Sequence, residues 1–499
     1  MRRFLLTLAF ALLLPLAARP AFAHGFGQRY DLMVPLWLYL FGSAAAVVLS
    51  FVMVGLFIGK GGGVHRYPRF DLIRIGPFSA VFAGRPFLAS LRLLSVALFL
   101  LVIASGLLGV RVPDDNFAPT FVWVIWWVGL GFLVAFVGNL WELMNPWKIL
   151  FEWAHGLART FGAEQGMGPY ESYPTGWGVW PALVLFFGYA WVELVFRGSY
   201  DPFYIAVLAL LYSVVTWAGM LLFGKDTWLR RGEAFSVFFG ILARFAPTEA
   251  RVTDARICRD CSAACQDAEG DCVNCYECFA RAKPEDRELN LRPPAVGLAR
   301  SERIPPGGLA FVVLALASVT FDGLLETPLW TGLPGSVPQT LGLVAVPLVF
   351  FALYLGFVKL SQLLGGAGEQ RFWSLATAYA YSLVPIAIAY QVAHYFTLLL
   401  IQGQAIIALI SDPFGWGWDL FGTAGYQIDP GIVGAATVWY LQIALIVAGH
   451  VLAVYLAHLI ALRSMPSSKQ ALRSQYPVLV LMIFYTVFSL WIISQPIVE

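Results

Sequence analysis

All the cysteines of this chain lie in one short segment, residues 258–278. They follow the spacings CxxCxxxC and CxxCxxC, and they are Cys258, Cys261, Cys265, Cys272, Cys275 and Cys278. Thiolates bind zinc in sets of four, often from paired CxxC motifs. Iron–sulfur clusters use the same ligands at CxxCxxC spacing. The segment therefore predicts a metal centre and leaves open whether it holds zinc or an iron–sulfur cluster.

A second group of reactive side chains lies inside apolar stretches. Asp322 and Glu326 are one helical turn apart and share a helix face, while His394 is flanked by Tyr390 and Tyr395. Ionisable residues within membrane spans are costly and are usually functional. We expect Asp322, Glu326 and His394 to converge on one outward-facing site, and we predict that they are catalytic.

His24 is a candidate metal ligand beside that site. As a mature N-terminal residue it would offer both its amine and its imidazole, which is a chelate suited to copper. Imidazole with carboxylate also suits zinc or iron. The predicted ligands of this outer-face metal, which could be copper, zinc or iron, therefore include His24 and His394.

His450 and His458 are the candidate cofactor-binding histidines of a haem. Their separation of eight residues corresponds to about 12 Å along a helix, which is too far for both to bind one metal. A bis-histidine haem b would need a partner at equal depth on a facing helix, so it is the less favoured cofactor.

Composition indicates an all-α integral membrane protein. The chain has 499 residues, of which 59% are hydrophobic and only 12% charged, against about a quarter charged in soluble proteins. Residues 1–23 resemble a cleaved signal peptide that ends in Ala21-Phe22-Ala23. After it, ten stretches are apolar and long enough to span a bilayer; they are approximately Val34–Ile58, Leu93–Val110, Phe121–Leu140, Trp177–Phe196, Phe203–Phe223, Leu309–Leu329, Leu341–Leu364, Trp373–Leu400, Ala435–Ala461 and Pro477–Ile497.

Every second loop between these stretches is rich in Lys and Arg, which marks the cytoplasmic side. The pattern predicts a multi-pass protein of the bacterial inner membrane with both mature termini outside. Residues 24–223 and 307–499 would each form a bundle of five spans, joined by a cytoplasmic loop at 224–306 that carries the cysteines. Cytoplasmic thiols stay reduced, which argues against a disulfide framework. No feature of the sequence indicates a nucleic-acid partner.

Several segments together resemble the polytopic bacterial membrane proteins called fenitrothion hydrolases. The similar segments are His24-Gly25-Phe26-Gly27, Val34-Pro35-Leu36-Trp37, Thr320-Phe321-Asp322-Gly323, Leu383-Val384-Pro385-Ile386-Ala387, Val392-Ala393-His394-Tyr395, Ser411-Asp412-Pro413, Asp419-Leu420-Phe421-Gly422-Thr423, Val438-Trp439-Tyr440, Gly449-His450 and Ala457-His458. The resemblance covers most of the chain apart from the cysteine loop. It implies hydrolysis of an aryl phosphorothioate triester, with a second membrane subunit as a partner.

Three functions follow from these features. The leading interpretation is a hydrolase in which a metal at His24, His394, Asp322 and Glu326 lowers the pKa of bound water to about 7. The second is a redox protein whose cysteine loop carries an iron–sulfur cluster and exchanges electrons with a partner and with a metal or haem centre. The third is a metal-ion transporter. A triester hydrolase needs no redox centre, so the cysteine loop separates the first interpretation from the second.

Overall fold

The structure is a computed structural model that describes residues 34–57, 67–77, 84–162, 167–259, 265–267, 270–299, 304–333, 335–366 and 372–498. The signal peptide predicted at 1–23, His24 and Cys261 lie outside the described residues.

The described chain is mainly helical, as the sequence predicts. Its helices are α1 (Leu36–Phe57), α2 (Arg85–Leu108), α3 (Phe117–Phe136), α4 (Trp141–Met144), α5 (Pro146–Thr160), α6 (Trp180–Leu194), α7 (Pro202–Phe223), α8 (Lys225–Arg231), α9 (Ala234–Leu242), α10 (Ala255–Cys258), α11 (Tyr276–Arg281), α12 (Pro306–Leu325), α13 (Pro328–Thr331), α14 (Ser336–Leu364), α15 (Phe372–Ile401), α16 (Ala405–Leu409), α17 (Ala435–Ser464) and α18 (Ser468–Val498).

Nine helices of the described residues are long and apolar enough to cross a membrane. They correspond to nine of the ten predicted spans and identify a multi-pass membrane protein in a lipid bilayer. The remaining prediction, Trp177–Phe196, corresponds to α6, which has only 15 residues. A helix of that length rises about 22 Å, less than the roughly 30 Å of the hydrocarbon core. Gly178 precedes α6 at a φ of 47°, a conformation that does not continue a helix.

Helix α3 is unusual because its middle, Thr120–Leu130, is a π-helix of 11 residues. Such segments are rare and occur often at functional sites. The wider turn places Trp123 and Trp127 in the buried core beside α6.

The described residues also form one small sheet of four strands. Its strands are β1 (Phe70–Asp71), β2 (Thr248–Val252), β3 (Cys272–Val273) and β4 (Arg287–Leu291). They pair antiparallel in the order β1-β4-β2-β3, with Phe70 opposite Leu291 and Thr248 opposite Leu291 on its other side. The sheet thus joins residues 67–77 to the cysteine-bearing segment, so both lie at the same end of the bundle.

Helices α12 and α15 form the interior of the bundle. In the most apolar stretch of each helix, 78% and 72% of the residues are buried inside the protein, against 17% for α1. Helix α15 packs against α12 and α17, while α1 packs against α17 and α18. Polar residues on α12 and α15 therefore face protein rather than lipid.

Loops at the end away from the sheet also contact one another. The Val110 N–H donates to the Phe414 carbonyl at 2.9 Å, and Arg111 pairs with Asp201 at the start of α7. Helix α12 leads from the sheet end toward this end, which places Asp322, 16 residues after Pro306, about 24 Å further along the helix.

Candidate functional site

Asp322 on α12 and His394 on α15 meet in the interior of the bundle. The His394 Nε2 lies 2.9 Å from Asp322 Oδ2, and the Tyr395 hydroxyl donates to the same oxygen at 2.6 Å. The side chains of His394 and Asp322 are only 7% and 13% exposed. The structure therefore brings together two of the three residues that the sequence predicts as catalytic.

Glycine next to Asp322 allows this contact. A Cβ at position 323 would lie 2.6 Å from the Tyr390 hydroxyl oxygen and 3.7 Å from His394 Cε1. Any larger residue would push α15 away from α12. Asp322 thus supplies the carboxylate, and Gly323 leaves the space that α15 needs to bring His394 close to it.

Helix α15 is held on its other side by α17. The Gln442 side chain donates to the Ala393 carbonyl at 2.9 Å. A Cβ at Gly449 would lie 2.4 Å from Ala389 Cβ and 2.8 Å from the Pro385 carbonyl oxygen. Small residues allow such close helix contacts in membranes, so α17 fixes the depth and rotation of His394.

Two more carboxylates lie near Asp322. Glu193, at the end of α6, is close enough to Asp322 for their charges to repel, and Glu326 follows Asp322 by one turn and acts electrostatically on His394. Tyr200, in the segment between α6 and α7, interacts with all three carboxylates. The site therefore combines three carboxyl groups, one imidazole and several phenols.

Asp412 and Gln404, in the loop at 403–433 beyond the end of α15, form hydrogen bonds within that loop. Asp412 accepts the N–H groups of Trp416, Gly417 and Trp418, and Gln404 accepts from the Tyr426 hydroxyl and the Asp429 N–H. These contacts shape the loop itself.

The predicted metal sites are only partly described. Within the described ranges, no three His, Cys, Asp or Glu side chains lie together in positions that could hold a metal ion. Asp322 and His394 thus provide two neighbouring donors. Of the other two predicted ligands, Glu326 follows Asp322 by one turn and His24 falls outside the described residues.

The cysteines gather in a small core of their own. Cys258, Cys272, Cys275 and Cys278 are buried with Val252 and Ala282, and Cys265 packs against them; we call the four buried residues the cysteine core. The Cys272 N–H donates to Cys258 Sγ at 3.1 Å. The Cys258 Sγ in turn donates to the Val252 carbonyl at 3.6 Å, so the sulfur is tied to the backbone on both sides.

The turn between Cys272 and Cys275 is fastened to strand β2. Asn274 has a φ of 55°, which asparagine adopts more readily than most residues. Its N–H donates to the Ala250 carbonyl at 2.7 Å, and its side-chain oxygen accepts the Ala250 N–H at 3.0 Å. The sheet therefore holds the CxxC turn against the end of α10, where Cys258 lies.

His450 and His458 on α17 have different surroundings. His450 Nδ1 lies 2.8 Å from the Ile446 carbonyl, and its Nε2 is buried without a hydrogen-bond partner among the described residues. His458 Nδ1 lies 3.0 Å from Gln475 Oε1 on α18. The helix thus directs the two imidazoles to separate partners.

Sequence reasoning missed the aromatic side of the site. Tyr189 precedes Glu193 by one turn of α6, and its ring lies 4.7 Å from Trp127 on the π-helix. The i, i+4 spacing of Tyr189 and Glu193 was the available signal. Comparison of the chain with protein-family models, with curated proteins and with solved structures finds no match.

Proposed function

We propose that this chain is a membrane-embedded hydrolase in which His394, oriented by Asp322, activates water. The observation that carries the proposal is the 2.9 Å contact between His394 Nε2 and Asp322 Oδ2 inside the bundle. A buried carboxylate that holds an imidazole in one tautomer is the arrangement that makes histidine an effective general base.

The chemistry follows from the donors and acceptors. An ionised carboxylate only accepts hydrogen bonds, so His394 Nε2 carries the proton and Nδ1 is left as the base. Nδ1 takes a proton from water, the water oxygen bonds to phosphorus, and the bond from phosphorus to the aryl oxygen breaks. The aryloxide leaves with the electron pair, and Asp322 stabilises the imidazolium until it releases its proton.

A bound cation would be held by Asp322 and His394, with Glu326 and His24 as the other predicted ligands. Such an ion would supply hydroxide at neutral pH.

The substrate class comes from the resemblance to fenitrothion hydrolases, namely aryl phosphorothioate triesters. These molecules are apolar and partition into bilayers, which suits a site enclosed by membrane helices. A nitrophenolate leaving group needs no strong acid, so a single base is sufficient.

The test is hydrolysis of a dialkyl 4-nitrophenyl phosphorothioate by the full chain in lipid nanodiscs. We expect His394→Gln to lower kcat at least about 100-fold, the usual contribution of a general base, and Cys272→Ser to leave it unchanged. Equal activity of His394→Gln and the unaltered chain, or no activity in either, would refute the proposal.

We also propose that the sheet end faces the cytoplasm of a bacterial inner membrane. The support is that residues 67–77 and 248–292, from two loops rich in Lys and Arg, join in one sheet. The C-terminus would then lie outside. The test is a reporter enzyme that folds to an active form only outside the cytoplasm; fused after Glu499, it should show activity.

The cysteine core favours a redox protein as the second candidate. Four buried cysteines share one small core, and a backbone N–H is directed at the sulfur of Cys258. If this candidate is right, anaerobically purified protein contains iron and sulfide, with a broad absorption near 400 nm that Cys272→Ser removes. Zinc in a colourless protein would instead make the core structural.

A further inference from the structure

An apolar cavity of about 450 Å³ lies between α2, α3, α6 and α7. Cavities that bind small molecules usually measure about 300–1,000 Å³. None of the described residues lining this one is charged, and nine of them are aromatic, including Phe121, Trp126 and Phe235. The walls therefore suit an apolar ligand, and the number of rings favours an aromatic one.

The aromatic walls are fixed by hydrogen bonds directed away from the cavity. The indole N–H of Trp123 donates to the Ser199 carbonyl at 2.9 Å, and that of Trp147 donates to Ser213 Oγ at 2.8 Å. With their polar atoms engaged, these residues offer only carbon surfaces to a ligand. Rings held in place bind a flat aromatic molecule through stacked or edge-to-face contacts and lose little entropy in doing so.

The cavity opens on the lipid-facing surface. Val184 on α6 and Leu211 on α7 both line it, and they are 65% and 58% exposed. Because the surface of apolar membrane helices is covered by lipid, a ligand would enter sideways from the bilayer. A molecule that dissolves in lipid is therefore the class that can reach this cavity.

One polar group marks the side of the cavity toward the carboxylates. Tyr189 lines the wall, and its hydroxyl is buried without a hydrogen-bond partner among the described residues. A buried donor without an acceptor costs free energy, which a ligand that carries an acceptor would recover. Glu193 lies one turn further along α6, and Glu193 in turn is close to Asp322.

We propose that this cavity binds an apolar aromatic molecule that carries one hydrogen-bond acceptor, enters from the bilayer and accepts the proton of the Tyr189 hydroxyl. The identification of this ligand with the aryl substrate rests on the proposed function; the binding itself does not. The aromatic end then occupies the wall between α3 and α7, and the polar end points toward Glu193 and Asp322.

The test uses benzophenone, which has two aromatic rings, one carbonyl acceptor and a photoreactive centre. The full chain in lipid nanodiscs is irradiated with increasing benzophenone, and the labelled peptides are identified by mass spectrometry. We expect saturable labelling within residues 121–147 and 184–215. Tyr189→Phe should weaken the binding of benzophenone about five-fold, the typical contribution of one hydrogen bond. Diphenylmethane has no acceptor, so the same substitution should leave the concentration at which it competes with benzophenone unchanged.

Two glycines provide a matched pair of variants. Gly188 lines the cavity, and a Cβ there would meet no atom within 4 Å. Gly188→Leu should therefore fill the cavity without moving the backbone and abolish the saturable labelling. Gly356 on α14 has equally open surroundings and does not line the cavity, so Gly356→Leu should keep it.

The outcomes separate this inference from the proposed function. Labelling that is not saturable, or that Gly188→Leu leaves unchanged, would mean that lipid chains fill the cavity and would overturn the inference. Saturable labelling without any hydrolysis would support ligand binding in the cavity and refute the proposed hydrolase function. Hydrolysis of a triester that fails to compete with benzophenone would sustain the hydrolase and refute the cavity as its binding site.

Discussion

His394 Nε2 contacts Asp322 Oδ2 at 2.9 Å although the two residues are 72 positions apart. The contact crosses from α12 to α15, the two most buried helices of the bundle, and Tyr395 donates to the same carboxylate oxygen. In such surroundings electrostatic interactions are stronger than in water. Asp322 therefore fixes both the tautomer and the orientation of His394.

Asp322→Asn should remove that control while keeping the shape of the side chain. The amide can donate to Nε2 and so stabilise the tautomer in which Nδ1 carries the proton, which is the wrong one for a base. We expect kcat for the 4-nitrophenyl triester to fall by up to about 10⁴-fold, the loss seen when this exchange is made in a catalytic triad, with KM little changed. Tyr395→Phe, which leaves Asp322 charged, should cost far less; equal losses in both variants would contradict a tautomer-setting role.

Gly323→Ala tests the close approach of the helices that carry the site. The added methyl would lie 2.6 Å from the Tyr390 hydroxyl and 2.7 Å from Ile492 Cγ2. Overpacking of this kind costs about 1–3 kcal/mol, so the thermal unfolding midpoint in detergent and the hydrolysis rate should both fall.

The control for this substitution is Gly356→Ala, since a Cβ at Gly356 meets nothing within 4 Å. An alanine there should be neutral or slightly stabilising, because alanine is favoured over glycine in a helix by about 0.5–1 kcal/mol. Equal effects of the two alanines would mean that the contact beside Asp322 is not tight.

Hydropathy predicted most of the helices of this fold, because bilayer thickness imposes span lengths that are visible in sequence. It could not predict how the helices pack. The first span, α1, lies against the last two, α17 and α18, and nothing in a chain of uniformly apolar segments specifies that order.

Part of the candidate site could also be predicted from the sequence. Asp322 and His394 stood out because ionisable residues are rare in apolar stretches, and the structure places them in contact. Tyr189 and the cavity beside it could not be anticipated, since aromatic residues are common in membrane helices. The sheet was missed because β1 and β3 have only two residues each, too few for an alternating pattern.

Glu249→Gln should loosen the cysteine-bearing segment. Glu249 Oε2 lies 2.7 Å from Arg292 Nη1, both side chains are 0% exposed, and Arg69 binds the other oxygen at 2.7 Å. Removing one partner of a buried pair typically costs about 3–5 kcal/mol, because the remaining charge stays buried. Hydrogen exchange of residues 248–292 should therefore accelerate markedly.

An exposed pair in the same segment serves as the control. Glu277 lies 3.2 Å from Arg230, with side chains that are 36% and 55% exposed. Such surface pairs contribute about 1 kcal/mol or less, so Glu277→Gln should leave the exchange almost unchanged. Similar exchange in both variants would show that the buried pair does not hold the segment.

Glu152 on α5 should make the stability of the sheet end depend on pH. It binds Lys225 of α8 at 2.8 Å and also pairs with Arg92 of α2. Burial alone would raise the pKa of Glu152, but the hydrogen bond from Lys225 and the charges of Lys225, Lys148 and Arg92 outweigh it and leave the pKa below its usual value.

A carboxylate with a lowered folded pKa stabilises the protein above its unfolded pKa, about 4.3 for glutamate, and loses that contribution as the pH falls through the folded pKa. The unaltered chain should therefore exceed Glu152→Gln in thermal midpoint by a constant amount between about pH 7 and pH 5, and the difference should shrink below about pH 4. The control is Glu171→Gln, on an exposed carboxylate that makes no such pair among the described residues; it should leave the thermal midpoint almost unchanged. If the difference in thermal midpoint between Glu152→Gln and the unaltered chain stayed the same at pH 3, the ionic role of Glu152 would be contradicted. The difference would then come from packing.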